Sequence, residues 1–253
     1  MNGDSDAAGG MARLINTAGE GGDGPLDIEQ FAGTLYNSKT NKIVYHETHD
    51  EAGNDAGTQR TIVVAVNGAP LIGATRDYAE ARSRVAFALS LLSAGTPMFF
   101  MGEEIGAQQP YRYSDFLSHR EALATDRVGV GARLFRFYQD VIRFSRSQPA
   151  TRARAIDIIH AIGANRLIAF TRVAGADQFL VIASLHNQPF LDGYVIQTDP
   201  SRLPDGRWGE VFSSDATTYG GQGFGNFGSD IPASGGRFQA LVPANGLLVF
   251  QKR

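Results

Sequence analysis

The architecture of this chain is predicted from one stretch, Lys42-Ile-Val-Tyr-His-Glu-Thr-His-Asp-Glu51. It begins with a short β-branched and aromatic run, Ile43–Tyr45, whose composition predicts a buried strand. Titratable side chains follow at once, and Gly53 breaks the run shortly afterwards. Because α/β folds present catalytic groups at the C-terminal ends of their strands, Asp50 is predicted to be the chemical centre of the chain.

A helix and a second strand follow, which together predict a βαβ unit. The helix is expected from Arg76 onward, and its apolar face is formed by Ala81, Val85, Ala88, Leu89 and Leu92. Arg76, Glu80 and Arg84 are expected on the opposite face, where Glu80 and Arg84 would form an i,i+4 ion pair. Met98–Met101 is predicted to be a short apolar strand that ends in two glutamates. Parallel strands would place both polar ends at the same edge of the sheet.

The remaining sequence patterns divide the chain into three parts. Residues 1–25 are rich in glycine and are predicted to be a flexible N-terminal segment, with one helical turn at Met11–Ile15. Residues 26–155 contain the βαβ unit and two further amphipathic helices, at Leu26–Leu35 and at 131–147. Residues 156–253 contain short β-branched and aromatic runs separated by Asn, Gly, Asp and Pro turns, a pattern typical of an antiparallel β-sandwich.

Composition excludes several classes of protein. The chain has 253 residues, 43% of them hydrophobic, and a net charge of −3. This near balance argues against a dedicated nucleic-acid-binding protein. There are no cysteines, so disulfides and thiolate metal sites are excluded. The sequence contains no apolar run long enough to span a bilayer and no signal-peptide pattern at its start, so a cytoplasmic location and no membrane partner are predicted.

His46 and His49 raise the question of a metal site. Their spacing falls one residue short of the helical zinc-protease motif. On a strand, side chains separated by an odd number of residues face opposite sides, which would keep the two imidazoles apart. No metal ion and no other cofactor are therefore predicted. From the residues alone, His49 and Asp50 are better explained as a pair that satisfies local hydrogen bonds at the end of a strand.

Other conspicuous residues have structural explanations. Glu103 and Glu104 are consistent with a solvated acidic loop. The glycine-rich run Tyr219–Asn226 looks like a phosphate-binding loop, but it does not connect a strand to a helix, so a tight loop of the β-domain is predicted instead. Trp208 lies beside turn glycines and is predicted to be a core or turn residue rather than an exposed sugar-binding aromatic.

These stretches resemble the α-amylase superfamily, glycoside hydrolase family thirteen. His46–Asn54 resembles the fourth conserved region of that superfamily, and Gly95–Gly106 resembles its eighth barrel strand. Glu210–Asp215, followed by Tyr219–Asn226, is similar to the C-terminal β-domain of 1,4-α-glucan branching enzymes. The resemblance covers roughly residues 26–253. It implies the last two strand–helix units of a (β/α)8 barrel, followed by an antiparallel β-sandwich domain.

The resemblance also implies a function for two residues. Members of the superfamily act on α-glucans by a retaining double displacement, with a carboxylate nucleophile and a carboxyl acid/base. Asp50 matches the third carboxylate, which stabilises the oxocarbenium-like transition state, and His49 matches a histidine that hydrogen-bonds the sugar. The implied substrate is an α-1,4-glucan such as glycogen, and the implied reaction is the transfer that makes α-1,6 branches.

The nucleophile and acid/base motifs have no match upstream of His46. We therefore expect the chain to be the C-terminal part of a branching enzyme, inactive alone, whose partner is an N-terminal catalytic half present in cis or in trans. Another enzyme of the superfamily, an amylase or a trehalose-releasing hydrolase, is an alternative. A non-catalytic glucan-binding module that uses the aromatics Trp208, Tyr219 and Phe224 is an alternative of another class.

Overall fold

The computed structural model of the protein describes residues 11–55, 57–115 and 117–253. Part of the N-terminal segment that was predicted to be flexible, residues 1–10, lies outside the described residues. The rest begins with a helix, α1, at Met11–Gly19. Four apolar side chains at helical spacing are buried on one face of this helix: Met11, Leu14, Ile15 and Ala18. The helix is therefore longer than the predicted single turn, because this spacing lets it pack into the core.

The following elements lie between α1 and the β-domain. They are α2 at Ile28–Tyr36, β1 at Ile43–Val44, α3 at Thr61–Val64, α4 at Gly73–Leu92, β2 at Thr96–Pro97, α5 at Leu123–Val128, α6 at Ala132–Ser147 and α7 at Pro149–Arg152. The helices predicted around Leu26–Leu35, Arg76 and residues 131–147 are confirmed, with small shifts at their ends. Among the described residues, no helix is both long and apolar enough to cross a membrane.

The βαβ unit is confirmed, but its second strand lies earlier than predicted. Strands β1 and β2 are parallel neighbours, with Val44 opposite Pro97. The Met98 N–H still donates to the Val44 carbonyl at 2.9 Å. The Phe100 N–H instead donates to the Glu103 carboxylate at 2.7 Å. The predicted strand Met98–Met101 is therefore wrong. The backbone N–H of Phe100, which a longer strand would have paired with its neighbour, donates to a side chain of the following turn instead.

The charged face of α4 differs from the prediction. Arg76, Glu80 and Arg84, which were expected on the face opposite the apolar one, are all buried. Arg76 Nε lies 2.7 Å from Glu80 Oε1, so Glu80 pairs with the arginine before it and not with Arg84. Arg84 donates to the Tyr219 carbonyl of the β-domain at 2.9 Å. The β-domain and α6 cover this second face of α4. The local sequence pattern could not predict this contact, because the contacting elements are distant in the sequence.

The β-domain consists of one large and one small antiparallel sheet. Its strands are β3 at Ile156–Ile162, β4 at Leu167–Ala174, β5 at Asp177–Ser184, β6 at Phe190–Gln197, β7 at Gly206–Ser213, β8 at Asp230–Ala233, β9 at Arg237–Val242 and β10 at Gly246–Lys252. The large sheet has the order β3-β4-β5-β10-β7-β8, and β6 pairs with β9 in the small one. The sequence pattern missed β3, β8 and β9. The predicted fold class, a partial barrel followed by an antiparallel sandwich, is confirmed.

Both faces of the large sheet are buried at its centre, which explains the long apolar runs in β4, β5 and β10. Along β4, Ile168 and Phe170 pack with the helices in one core, whereas Leu167 and Ala169 face the small sheet in a second core. Trp208 is fully buried in that second core. The prediction of a core position for Trp208 therefore holds, and the tryptophan is not an exposed sugar-binding surface.

Candidate active site

Asp50 lies just beyond the C-terminal end of β1, at the start of a π-helical turn, Asp50–Asn54. The side chains of His49 and Asp50 are each about half exposed, and His49 Nε2 lies 3.4 Å from Asp50 Oδ1. Gly53 interrupts the helical geometry of this turn, and the Asp55 N–H closes the turn by donating to the Asp50 carbonyl at 3.1 Å. The turn therefore presents an imidazole and a carboxylate side by side to solvent.

Close packing and hydrogen bonds hold this turn in place. Gly53 has φ = 134°, and a Cβ atom there would lie 2.5 Å from Cβ of Pro110. The Asn54 side chain donates to the His49 carbonyl at 2.8 Å, and its oxygen accepts from the Tyr113 N–H at 2.8 Å. The turn is thereby connected to the loop that follows β2, so the positions of Asp50 and that loop are coupled.

Aromatic side chains surround the exposed imidazole. The ring of His49 lies 5.5 Å from that of Tyr113 and 6.4 Å from that of Phe100. Tyr111 connects the two, at 5.2 Å from Phe100 and 5.5 Å from Tyr113. Such rings combine an apolar face with polar edges or hydroxyl groups. This cluster can therefore contact both the apolar face of a bound molecule and its polar substituents.

A buried layer lies beneath the exposed pair. His46 Nε2 lies 3.1 Å from Glu103 Oε2, and both side chains are almost fully buried. The Tyr138 hydroxyl donates to the same Glu103 oxygen at 3.3 Å. Burial lowers the pKa of His46, but the carboxylates of Glu103 and Glu47 together outweigh burial, so the pKa lies above its usual value of 6.5. The pKa of the Tyr138 hydroxyl is raised well above its usual value by burial and by Glu103.

A second buried ion pair completes this layer. Arg60 Nε lies 2.8 Å from Glu47 Oε1, and the other Glu47 oxygen accepts from the Thr61 N–H at 2.6 Å. Arg60 also donates to the Met101 carbonyl at 2.9 Å. Burial raises the pKa of Glu47, against the opposing effect of Arg60. The two pairs together link the segment after β1 to the segment after β2.

An open cleft of about 910 Å³ lies next to this layer. Its lining includes Arg60, Met101, Tyr111, His119 and Glu121. The volume is in the range of about 300–1,000 Å³ that is usual for ligand sites. Tyr111 belongs both to this cleft and to the aromatic cluster around His49, so a molecule held in the cleft could extend toward Asp50.

The structure separates the two histidines that the sequence brings close. His46 is buried, whereas His49 is exposed. Within the described ranges, no group of three or more metal-binding side chains is arranged to hold an ion. Glu103 is buried and not part of a solvated loop, because its carboxylate accepts from Phe100 and Tyr138 and pairs with His46. Glu104 is half-buried and accepts from the Gly102 N–H at 2.8 Å.

Sequence reasoning missed Arg60 and the aromatic cluster. Arg60 lies in a polar loop with no local signal, since its partner Glu47 is distant in the sequence. Tyr111 and Tyr113 lie in a long loop rich in polar and aromatic residues, and that composition was the only available indication. Side chains that meet only through the tertiary fold cannot be paired from a single sequence.

Comparison with known proteins finds similarity to α-amylases and related enzymes. Residues 160–253 match the family model described as the alpha amylase C-terminal all-beta domain. The chain is 29% identical over 167 residues to a 1,4-alpha-glucan branching enzyme from Novosphingobium aromaticivorans, covering 61% of this chain and 21% of that enzyme. It is 37% identical over 75 residues to a malto-oligosyltrehalose trehalohydrolase from Saccharolobus solfataricus, covering 29% of this chain and 11% of that enzyme.

Solved structures show the same fold. The α-amylase from Geobacillus thermoleovorans, complexed with acarbose, matches with a TM-score of 0.62 at 10% sequence identity. The match covers 96% of this chain and 46% of the α-amylase chain. Amy13B from Eubacterium rectale matches with a TM-score of 0.63 at 14% sequence identity. The match covers 99% of this chain and 47% of the Amy13B chain. The chain thus spans less than half the length of these relatives. The resemblance to the α-amylase superfamily is confirmed.

Proposed function

We propose that this chain is the C-terminal part of a 1,4-α-glucan branching enzyme, which transfers a segment of an α-1,4-glucan to form an α-1,6 branch. The substrate would be glycogen or a similar glucan. Asp50 would stabilise the transition state and His49 would bind the sugar. The observation that carries the proposal is the exposed His49–Asp50 pair, held just beyond a barrel-like parallel strand and next to an open cleft.

The chemistry of the pair supports these roles. Positive charge develops on the sugar ring in the transition state of a retaining displacement. A fixed carboxylate nearby stabilises that charge, most strongly once a bound sugar has excluded water. Asp50 is fixed through its backbone, because its carbonyl accepts from the Thr58 hydroxyl at 3.1 Å and its N–H donates to the Thr48 hydroxyl at 3.2 Å. The imidazole of His49 can donate to a sugar hydroxyl beside it.

The proposal includes an N-terminal catalytic half as a partner. A retaining mechanism needs two further carboxyl groups about 5–5.5 Å apart, and the resemblance assigns neither role to a residue of this chain. Apolar side chains beside the parallel strand pair are exposed, notably Ile43 at 55%, Met101 at 55% and Phe99 at 41%. We expect the other barrel strands to cover these side chains, and we expect the 253-residue chain alone to be inactive.

An amylose assay tests this function. The chain is assayed alone and together with the N-terminal half, and both the iodine spectrum and the release of reducing ends are followed. Branching shifts the iodine spectrum without releasing reducing ends. Activity of the chain alone would contradict the proposed need for a partner. No activity with the partner would contradict the enzyme proposal and favour a glucan-binding module.

Hydrolysis by a related enzyme is a second candidate. The similarity to a malto-oligosyltrehalose trehalohydrolase, at 37% identity over 75 residues, favours this possibility within the same superfamily. Transfer and hydrolysis differ only in the acceptor that reaches the glycosyl intermediate, a sugar hydroxyl or water. Reducing ends released in parallel with the loss of iodine colour would decide for hydrolysis.

A further inference from the structure

A second cavity, of about 310 Å³, lies between α4 and the β-domain. Its lining includes Asp77, Tyr78, Arg84, Gln188, Asp215 and Gln222. It shares no lining residue with the open cleft near Asp50. Its volume is at the lower end of the range of about 300–1,000 Å³ that ligand sites usually have. The cavity is therefore a separate candidate binding site, and no role described above uses it.

Arg84 is the unusual residue in this wall. Its side chain is 2% exposed and donates from Nη1 to the Tyr219 carbonyl at 2.9 Å. Its Nε atom is buried and has no hydrogen-bond partner. His46, Glu47 and Arg60 also have such atoms, but each of them belongs to an ion pair. Within the part of the chain that the structure describes, Arg84 has no carboxylate oxygen within 4.0 Å. A buried donor without a partner is costly, and the residue that carries this donor is one of those that line the cavity.

The charges around Arg84 argue against an anionic ligand. Asp77 and Asp215 line the same cavity as Arg84, and Asp77 is already paired with Arg133 at 2.9 Å, so the charges around the cavity are close to balanced. Asp215 is buried, and its two oxygens accept from the N–H groups of Gln222 and Phe224. A neutral molecule that carries many hydroxyl groups suits this mixture, because each hydroxyl can donate to a carboxylate or accept from a guanidinium.

The other lining groups favour the same kind of molecule. Gln188 and Gln222 are exposed, and each amide provides both donors and an acceptor. Tyr78 is 47% exposed and offers a ring face on which an apolar ring surface can pack. Part of the wall is rigid, since Arg82 donates to Asn245 at 3.1 Å and to Asn187 at 2.8 Å. A wall that is already ordered loses little entropy when it binds a ligand.

We propose that this cavity, which we call the α4 cleft, binds a neutral oligosaccharide of the α-1,4-glucan class, at a site separate from Asp50. The choice of glucan rests on the proposed function, whereas the choice of a neutral polyhydroxyl ligand rests on the lining of the cleft. A site of this kind would hold one part of a long glucan on the β-domain side of the protein while another part reaches the open cleft near Asp50.

Calorimetric titration of the full 253-residue chain with maltoheptaose tests the proposal. Ala74→Trp introduces a bulky ring at an exposed lining position, and the double variant Tyr78→Ala, Gln222→Ala removes contacts from exposed side chains. We expect maltoheptaose to bind the parent chain and to bind each of these variants at least tenfold more weakly. Circular dichroism and thermal unfolding show whether each variant keeps the parent fold.

One variant elsewhere serves as the control. Tyr36→Ala removes a tyrosine with similar exposure, 41%, that lies outside the cleft, and it is expected to bind maltoheptaose as the parent does. His49→Ala removes the proposed sugar contact near Asp50 and so separates binding at that site from binding in the α4 cleft. The proposal is overturned if the folded cleft variants bind like the parent, if His49→Ala alone abolishes binding, if inorganic phosphate competes with the sugar, or if the folded parent does not bind maltoheptaose.

Failure of this proposal can be distinguished from failure of the proposed function. The proposed function is measured as Asp50-dependent glucan modification in the presence of the N-terminal half. If the cleft variants bind maltoheptaose more weakly but no Asp50-dependent activity is found, the α4 cleft proposal stands and the proposed function is rejected. If the activity is found but the cleft variants bind like the parent, the proposed function stands and the α4 cleft proposal is rejected.

Discussion

The imidazole of His46 and the carboxylate of Glu103 lie 3.1 Å apart in the core, and they join the segments that follow the two parallel strands. His46 is four residues before Asp50 in sequence, and Glu103 begins the turn that leads toward the aromatic cluster. The exposed pair is therefore built on a buried ionic layer. Disturbing that layer is expected to affect stability, and through it the position of Asp50.

Glu103→Gln is expected to destabilise the chain by about 3 kcal/mol, because removing one partner of a buried pair leaves the other without compensation. Urea unfolding followed by circular dichroism measures the free energy of unfolding. Glu104→Gln is the matched control, since Glu104 is less buried and accepts only from a backbone N–H. An equal loss in both variants would contradict the special role of the buried pair.

The stability of the chain should depend on pH through His46. Its pKa in the folded state is raised above the usual 6.5 by Glu103 and Glu47, against the opposing effect of burial. The stabilisation from this group is therefore fully present below pH 6.5 and is lost as pH rises through the folded-state pKa. Unfolding free energies measured from pH 6.5 upward should fall for the parent.

The Glu103→Gln variant serves as the reference for this pH dependence. Without the Glu103 carboxylate, burial and Arg60 still lower the pKa of His46 and Glu47 still raises it, so the fall above pH 6.5 should become smaller. The informative quantity is the difference in unfolding free energy between parent and variant, since other titrating groups are common to both. A difference that stays constant across this range would contradict the claim that the Glu103 carboxylate raises the pKa of His46.

Part of this structure was predictable from local pattern, and part was not. The order strand, helix, strand follows from short-range composition, and so do the exposed positions of His49 and Asp50 after β1. Arg76, Glu80 and Arg84 show the limit. Their spacing indicates the face of α4 opposite the apolar one, but the β-domain and α6 bury that face. No local pattern reports which distant element covers a helix.

The buried ion pairs also could not be predicted from local sequence. Glu103 looks like part of an acidic loop in the sequence, and only the parallel pairing of β1 and β2 brings it to His46. Glu103 also explains why β2 is shorter than the predicted strand. Its carboxylate accepts a hydrogen bond from the Phe100 N–H, which in a longer strand would have donated to the neighbouring strand. Hydrogen-bond competition of this kind depends on a tertiary arrangement.

Arg172→Lys is expected to destabilise the chain by about 2–4 kcal/mol. Arg172 on β4 is fully buried and donates to five backbone carbonyls, those of Leu92, Ser93, Thr151, Ala153 and Ala155. Burial lowers the pKa of this arginine to about 10. Lysine has three donors on one atom and cannot serve carbonyls that lie around a planar guanidinium, and each buried carbonyl left unpaired costs about 1–3 kcal/mol.

Urea unfolding measures this effect, with Arg237→Lys on the exposed face of β9 as the matched control. The control should change the free energy of unfolding by no more than about 0.5 kcal/mol, as is usual for surface substitutions. If Arg172→Lys were equally harmless, the proposed connection between β4 and the ends of α4 and α7 would be wrong.

Gly53→Ala tests the packing of the π-helical turn. Gly53 has φ = 134°, and a Cβ atom would meet Pro110 at 2.5 Å, whereas Gly57 has φ = 82° and no atom within 4 Å of its Cβ position. Both alanine variants should incur backbone strain of about 1–3 kcal/mol. Only Gly53→Ala should also incur about 1–3 kcal/mol from overpacking. Thermal unfolding of the two variants compares these costs, and equal midpoints would contradict the contact with Pro110.

The central claim, that Asp50 acts in glucan chemistry, is tested most directly by one comparison. Asp50→Asn and Asp55→Asn are each assayed on amylose together with the N-terminal half. Asp55 is the matched control, an exposed carboxylate in the same loop. We predict that Asp50→Asn lowers the rate at least about 100-fold, as loss of a transition-state charge contact does, and that Asp55→Asn keeps the parent rate. An Asp50→Asn protein as active as the parent would contradict the account.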